Sequence, residues 1–312
     1  MKYRKPDYTD QFYCTADSCP ATCAAPLDMT WTKSLGTYCE GGLSLACPRA
    51  AQLILLHQDP THYSTHTDDT PGQALDGETG SQLELLLDAR KTVELLLQNR
   101  AMALRPRVVL ALTYCAELEP LLPAKNRFSY EELDWGFTEQ PVRQFQVLVN
   151  LAGHWELKRS DMCNLLWDLS QLCTQDTVLS AHLTETFHRF QTISGEEYRL
   201  LRSEFDQYLA PRDHLFENLM LYYIYRYFMN TQDLMTVAPG AKLMALSFSV
   251  VRTMASRIWQ ETGSLTDEAF LALCWHFARC FEENPEVSHG VYRRLCDNPL
   301  YSWERLQRLL WK

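Results

Sequence analysis

Five cysteines within the first fifty residues are the side chains best suited to chemistry. Cys14, Cys19 and Cys23 are separated by four and three residues, and Cys39 and Cys47 follow them. Three clustered thiols in a chain with no export signal bind a metal more often than they form disulfides. The spacing suits a four-iron cubane, whose corners lie farther apart than the vertices of a zinc tetrahedron, although zinc or no metal stays open on spacing alone. We predict a metal centre on the first three thiols, with Cys39 or Cys47 as the fourth ligand.

The six remaining cysteines lie in segments where apolar residues recur at helical spacing. We predict that they are reduced thiols that pack as small hydrophobic side chains. They are Cys115, Cys163, Cys173, Cys274, Cys280 and Cys296.

The composition indicates a folded, acidic protein. Of the 312 residues, 46% are hydrophobic, and 29 Lys and Arg against 39 Asp and Glu give a formal net charge of −10. This charge repels phosphates, so we expect neither nucleic acids nor anionic membranes as partners. Residues 1–10 lack the apolar run of a signal or anchor, and no later stretch reaches the roughly 20 apolar residues of a membrane span. We expect a cytoplasmic protein that does not span a membrane.

Beyond Ser81, apolar residues recur at spacings of three and four, which is typical of amphipathic helices. The pattern predicts one helix that ends before Pro106 and a second over Val108–Leu118, and capping boxes begin at Ser129 and Ser194. Further helices are predicted over 141–153, 158–173, 178–190, 196–209, 213–230, 241–261, 266–283 and 287–296.

The absence of a strand pattern or βαβ rhythm predicts an all-α fold. We divide the chain into an irregular cysteine-rich, metal-binding segment over 1–56, a polar loop over 57–80, and a bundle-like array of helices that forms a helical domain over 81–312.

Several common catalytic signatures are absent from the sequence. It contains no Gly-x-Ser-x-Gly elbow, no phosphate-binding Gly-Lys-Ser/Thr loop and no His-Glu-x-x-His motif. Gly41 and Gly42 have no strand pattern before them and no further glycine at the interval that a dinucleotide-binding fold needs. Hydrolases, nucleoside triphosphatases and Rossmann-type methyltransferases are therefore not expected.

Two strings in the N-terminal region resemble a known family. The string FYCTADSCPATC (Phe12–Cys23) resembles the N-terminal signature of the flagellin lysine-N-methylase family. The string LSLACPRAAQLILL (Leu43–Leu56) resembles the Leu-Ser-Leu-Ser-Cys-Pro-Glu-Ala-Ala-Arg segment of that family. A weaker similarity lies in FENLMLYYIYRYF (Phe216–Phe228) and ARCFEEN (Ala278–Asn284).

The resemblance implies a cytoplasmic enzyme that uses S-adenosylmethionine to methylate lysine side chains of flagellin and carries a cysteine-bound [4Fe–4S] centre. It also implies which thiols bind the cluster, because Cys14, Cys19, Cys23 and Cys47 match the motif cysteines. The resemblance does not indicate which residues are catalytic or contact S-adenosylmethionine, and both radical and polar methyl transfer stay open.

The chain departs from the family at the N-terminal motif. Ala24, Ala25 and Pro26 follow Cys23, where the family has a further cysteine and Gly-Trp. Arg49 stands where the family tends to have Glu. These departures keep a second hypothesis open, namely a non-catalytic helical binding protein that a metal stabilises and that derives from this family.

Methylation of a lysine requires its uncharged amine, which desolvation or a nearby base favours. Aromatic and polar residues of one segment offer a lining for such an amine, although aromatic residues at helical spacing more often belong to a core. They are Glu217, Asn218, Tyr222, Tyr223, Tyr225 and Tyr227. Arg279 and Glu282 are three residues apart, at the spacing of a surface pair on one helix.

Overall fold

The computed structural model describes residues 2–4, 29–34, 37–41, 44–58, 64–66, 77–124, 146–150, 158–228 and 236–311. The helices are α1 (Pro48–Leu55), α2 (Gly77–Leu97), α3 (Leu104–Leu118), α4 (Arg159–Leu172), α5 (Thr177–Thr192), α6 (Gly195–Leu209), α7 (His214–Tyr227), α8 (Ala238–Thr262), α9 (Asp267–Glu282), α10 (Pro285–Asp297) and α11 (Trp303–Leu310). Residues 146–150 are also helical, and short 3-10 turns occupy Glu119–Ala124, Ala210–Arg212 and Pro299–Tyr301.

Helix α8 forms the centre of the helical array. Its residues from Ala238 to Arg257 are all buried, as expected for a helix with neighbours on every side. Those neighbours are α3, α5, α6, α7, α9, α10 and α11. Near its start, Gly240 lies so close to the backbone of Tyr227 and Phe228 that a Cβ atom would clash. This close approach brings the end of α7 against the start of α8.

Capping residues fix several helix starts. Ser194 accepts a hydrogen bond from the Glu197 N–H, and the Glu197 carboxylate accepts one from the Ser194 N–H, which completes the predicted capping box of α6. Thr266 caps α9 and Asn284 caps α10 in the same way with a side-chain oxygen. The other predicted capping box, at Ser129, lies outside the described residues.

The all-α prediction is confirmed by this helical array. Each helix predicted between residues 158 and 296 is present with its ends within three residues of the expected positions. Helix α2 begins at Gly77, four residues before Ser81, and α3 begins at Leu104 with Pro106 inside its first turn, where the missing N–H leaves no helical bond unmade. Helix α11 was not predicted.

The N-terminal region contains short strands that the sequence pattern did not predict. They are β1 (Lys2–Arg4), β2 (Met29–Ser34), β3 (Thr37–Gly41) and β4 (Ser64–His66), in an antiparallel sheet of order β3-β2-β1-β4. Strands of three to six residues are too short for a clear alternation of polar and apolar residues. Strand β4 lies in the stretch predicted to be a polar loop, and β3 leads directly into Gly42. Because the sheet is antiparallel, it differs from the parallel sheet of a dinucleotide-binding fold.

The scattered cysteines follow the prediction at five positions of six. Cys115, Cys163, Cys173, Cys274 and Cys280 are buried, whereas Cys296 is exposed. The prediction was wrong at Cys296 because α10 buries a single stripe, formed by Val287, Val291 and Leu295, and the next residue points away from it. Within the described ranges, no helix has the length and apolar character that crossing a membrane requires.

Candidate functional site

The structure describes two of the five N-terminal cysteines. Cys14, Cys19 and Cys23 lie outside the described residues. Cys39 is in β3, and this strand contacts α7. Cys47 is the N-cap residue of α1 and is 1% exposed. Helix α1 also contacts α7. Helix α7 therefore lies beside both segments that carry a candidate fourth ligand.

The residues immediately before α1 are held against two helices of the array. We call residues 44–47 the Cys47 segment. In it, the Leu45 N–H donates to the Tyr222 hydroxyl of α7 at 3.1 Å. The Trp275 indole N–H of α9 donates to the Ala46 carbonyl oxygen at 2.5 Å. These bonds to both helices fix the backbone that leads into the N-cap of α1.

Glu282 at the end of α9 is the centre of a buried polar cluster. Its side chain is 5% exposed, and its carboxylate accepts hydrogen bonds from the Ser44 and Tyr222 hydroxyls. The Arg226 guanidinium lies 3.5 Å from the same carboxylate. Burial raises the pKa of Tyr222 well above its usual range, and the Glu282 charge adds to this effect. The phenol thus stays protonated and serves as a donor that ties the Cys47 segment to α9.

The polar residues proposed to line a lysine site on α7 are instead engaged in contacts within the fold. Glu217 is fully buried, with Arg107 Nη1 at 2.6 Å and Arg100 Nη2 at 2.9 Å from its carboxylate oxygens. The Asn218 amide donates to the carbonyl oxygens of Leu55 and His57 and so caps the end of α1.

The tyrosines of α7 contact different neighbours. Tyr225 donates to Glu94, and the ring of Tyr227 stacks on that of Tyr223 with centroids 5.6 Å apart. Only Tyr222, of the four proposed tyrosines, bonds directly to the Cys47 segment within the described residues.

A polar cleft of about 350 Å³ lies where the start of α5 meets the end of α9. It is lined by Gln175, Asp176, Thr177, Val178, His276, Arg279, Cys280, Glu283 and Asn284. Helix α9 therefore holds the Cys47 segment through Trp275 and Glu282 and contributes neighbouring residues to the cleft.

Asp176 and His276 form a pair in this cleft. The His276 Nδ1 atom lies 3.0 Å from Asp176 Oδ2, and Asp176 Oδ1 accepts a hydrogen bond from the Leu179 N–H at 2.9 Å. Burial alone would raise the pKa of Asp176, but these hydrogen bonds and the contact with His276 outweigh it, so the pKa is lowered. An ionised Asp176 can only accept, so His276 donates to it through Nδ1, and in the neutral ring Nε2 then carries the free lone pair, which is the arrangement of a general base.

Two further contacts complete the cleft. The Cys280 thiol is hydrogen-bonded to Cys173, which lowers the pKa of Cys280 and raises that of Cys173. Arg279 Nε lies 3.0 Å from the Glu283 carboxylate. The expected pair of Arg279 and Glu282 is therefore replaced, because Glu282 is turned toward Arg226 in the buried cluster.

Sequence reasoning did not find the pair of Asp176 and His276. The two residues are 100 positions apart, and neither belongs to a short motif. The one available signal was the ARCFEEN string, whose first residue lies two positions after His276.

Comparison with protein families finds a match to the FliB lysine N-methylase C-terminal domain over residues 90–309. The chain belongs to the FliB lysine N-methylase family. Comparison with curated proteins and with solved structures finds no match.

The matched FliB domain extends from within α2 to within α11 and contains the cleft and, of the Glu282 cluster, Tyr222, Arg226 and Glu282. The Cys47 segment precedes the matched range, yet Tyr222, Trp275 and Glu282 of the FliB domain bind it directly. In the part of the chain that the structure describes, no group of three or more His, Cys, Asp or Glu residues could hold a metal ion. The four-cysteine ligand set stays a prediction.

Proposed function

We propose that this chain is a cytoplasmic protein-lysine N-methyltransferase that uses S-adenosylmethionine and acts on flagellin. The observation that carries the proposal is the match to the FliB lysine N-methylase domain over residues 90–309. A second observation supports it, because strings that resemble this family in separate parts of the sequence meet in space. Tyr222 from one and Glu282 from another bind the segment that carries Cys47.

We assign Cys14, Cys19, Cys23 and Cys47 as ligands of an iron–sulfur cluster. Cys47 suits this role because it stands at the N-terminal end of α1, where peptide N–H groups without helical partners favour the negative charge of a ligating thiolate. Bound by all four cysteines, such a cluster would supply an electron to S-adenosylmethionine, whereas an iron open to the amino-carboxylate end of the cofactor would require ligation by Cys14, Cys19 and Cys23 alone. Zinc is the alternative metal, and metal analysis distinguishes the two.

We assign His276 as the base that removes the proton of the acceptor lysine. An ammonium group has no lone pair to attack a methyl group, so the lysine must lose a proton first. In the cleft, Asp176 fixes the His276 ring through Nδ1, and Nε2 is the atom that would take the proton. The negative charges of the Asp176 and Glu283 carboxylates, which line the cleft, favour the approach of a positively charged lysine side chain.

The rate of flagellin methylation by single-residue variants tests whether His276 is the base. We expect His276→Gln to lower the rate of flagellin methylation roughly a hundredfold or more, the usual contribution of a general base. Asp176→Asn keeps a side-chain oxygen to cap α5 but loses the charge that orients the ring, so it should lower the rate with little change in stability. His289→Gln, on the exposed surface of α10, is the matched control. An unchanged rate in His276→Gln would remove the base assignment.

Metal content tests the assignment of the cluster separately. Protein purified without oxygen should be brown and contain several irons per chain, and Cys47→Ser should lower the iron content. Cys296→Ser, which removes an exposed thiol on α10, is the control and should retain the iron. A colourless protein with one zinc per chain would contradict the cluster and favour the non-catalytic, metal-stabilised alternative.

A further inference from the structure

A small cavity lined by three arginines lies on the side of α8 that faces α6. Arg105 comes from α3, Arg202 from α6 and Arg252 from α8. The volume of the cavity is about 10 Å³, which is room for roughly one water-sized sphere. Its other lining residues include Tyr198, Phe205, Phe248, Ser249 and Leu309.

The positive charge around this cavity exceeds the negative charge. Asp206 is the carboxylate that the arginines share, since Arg105 Nε lies 2.5 Å and Arg252 Nη2 lies 2.6 Å from its oxygens. Within the described residues, Arg202 donates to a neutral group, the Leu309 carbonyl oxygen, at 2.8 Å. Asp213 also lies within electrostatic reach of Arg252, and burial raises its pKa. Among the described residues, three guanidinium groups thus line the cavity, and one carboxylate, that of Asp206, is hydrogen-bonded to two of them.

Four buried polar atoms of the cavity residues make no hydrogen bond within the described part of the chain. They are Arg202 Nη1, Arg252 Nη1, the Tyr198 hydroxyl and Ser249 Oγ. The two guanidinium nitrogens can only donate, whereas the two hydroxyls can donate or accept, and all four residues line the same cavity. Buried polar atoms in folded proteins are nearly always paired, so two unpaired guanidinium nitrogens beside two unpaired hydroxyls indicate a missing acceptor at this cavity.

We propose that this cavity binds a small inorganic anion of about the size of chloride, held by the four unpaired donors. A negative ion accepts from all four donors at once and also balances the excess guanidinium charge. A water molecule would meet only part of this requirement, because it carries no charge and itself has two hydrogens to donate. The cavity is too small for phosphate or sulfate, so the ligand class is a small monovalent anion, and chloride, which is larger than water, fits if the arginine side chains shift slightly outward.

The electrostatics of the arginines agree with an absent counter-charge. Burial and the nearby Arg105 lower the pKa of Arg202 to about 10, and burial and Arg105 also lower the pKa of Arg252. Both groups still carry a proton at neutral pH, so their charge is buried with incomplete compensation. An anion that binds the folded protein but not the unfolded chain would stabilise it by RT ln(1 + [anion]/Kd).

Thermal unfolding of the full chain in two sodium salts tests this site. At constant ionic strength, sodium gluconate is replaced stepwise by sodium chloride, because gluconate cannot enter a cavity of this size. We expect the midpoint of unfolding to rise with chloride concentration, and to rise with the logarithm of that concentration once it exceeds the dissociation constant. Crystals soaked in bromide should show an anomalous peak beside Arg202 and Arg252.

Two variants remove one unpaired donor each without removing packing atoms of the ring or backbone. Tyr198→Phe and Ser249→Ala should each weaken the apparent chloride affinity by roughly tenfold or more, as expected for a hydrogen bond to a charged group. Ser247→Ala is the matched control, since its hydroxyl lies on the same helix and donates to the Met244 carbonyl oxygen instead. It should leave the chloride dependence unchanged.

The outcomes separate the proposal from its alternatives. Equal midpoints in gluconate and chloride, with no bromide peak, would mean that water fills the cavity and would overturn the proposal. Protection by inorganic phosphate but not by chloride would overturn the assignment to a small monovalent ion. Chloride dependence that survives in both donor variants would place the ion elsewhere and would also contradict the proposal.

Discussion

Replacing Tyr222 by Phe tests whether the Cys47 segment is docked as described. Tyr222 is 1% exposed, and its hydroxyl accepts from the Leu45 N–H and donates to the buried Glu282 carboxylate. The variant loses a hydrogen bond to a charged group, worth about 1.5–3 kcal/mol, and leaves a buried N–H unpaired at about 1–3 kcal/mol. Ser44 still donates to Glu282, so we expect a net loss of about 2–4 kcal/mol in the free energy of unfolding.

The neighbouring residue supplies a matched control for this variant. Tyr223 is also 1% exposed, but its hydroxyl has no hydrogen-bond partner within the described residues. Removing an unpaired buried hydroxyl should be neutral or slightly stabilising. Both changes delete one phenolic oxygen from α7, so the difference between the two losses in the free energy of unfolding isolates the contacts of the Tyr222 hydroxyl.

Urea unfolding with an unchanged m-value gives the stability difference, and hydrogen exchange gives a local measurement. The Leu45 amide should exchange faster in Tyr222→Phe and at the wild-type rate in Tyr223→Phe. Equal stability losses in the two variants, or unchanged Leu45 protection in Tyr222→Phe, would refute the description of the docking contacts.

Three further predictions concern the rest of the helical array. Glu217→Ala should destabilise the protein by about 3–5 kcal/mol in urea unfolding, because it leaves the buried Arg107 without its carboxylate, whereas a loss below about 1 kcal/mol would contradict that view. Burial alone would raise the pKa of Asp206, but the two arginines beside it outweigh burial and lower the pKa. The ionised Asp206 therefore stabilises the folded protein above the unfolded-state pKa of about 3.9, and this stabilisation is lost as the pH falls below that value. Asp206→Asn should accordingly show a shallower loss of stability below pH 4 than the wild type, as followed by acid titration. In thiol labelling of the native protein with peptide mapping, Cys296 should react before the five buried cysteines of the helical array, and the opposite order would contradict the assigned exposure.

Local patterns predicted the helices because their causes are local. The stripe of Val287, Val291 and Leu295 and the capping box at Ser194 each lie within a few residues of the helix that they define. The N-terminal strands escaped prediction because each is short and gains its hydrogen bonds from a partner strand. Strand β1 pairs with β4, for example, which lies some sixty residues later in the sequence.

The candidate site was predicted less completely because its contacts join distant residues. Ser44 and Glu282 are 238 positions apart, and no local spacing indicates their hydrogen bond. The pattern on α7 suggested a cluster of Tyr and Glu side chains but not which of them face which neighbour. Glu217 was proposed for a lysine site, although two arginines from elsewhere in the chain engage its carboxylate.

The arginine cavity has no signature in the sequence because its residues come from separate helices. Its arginines come from α3, α6 and α8, and each looks like an ordinary surface cation within its own segment. The packing of α6 against α8 brings Arg202 and Arg252 together, and their Nη1 atoms have no hydrogen-bond partner in the part of the chain that the structure describes.

Methylation of flagellin by the full chain is the most direct test of the account. Protein purified without oxygen and loaded with its metal is incubated with S-adenosylmethionine and flagellin, and the flagellin peptides are then weighed by mass spectrometry. We predict that lysine-containing peptides gain the mass of one methylene group for each methyl transferred, and that the gain requires S-adenosylmethionine. Flagellin of unchanged mass after incubation with metal-replete protein would contradict the proposed function.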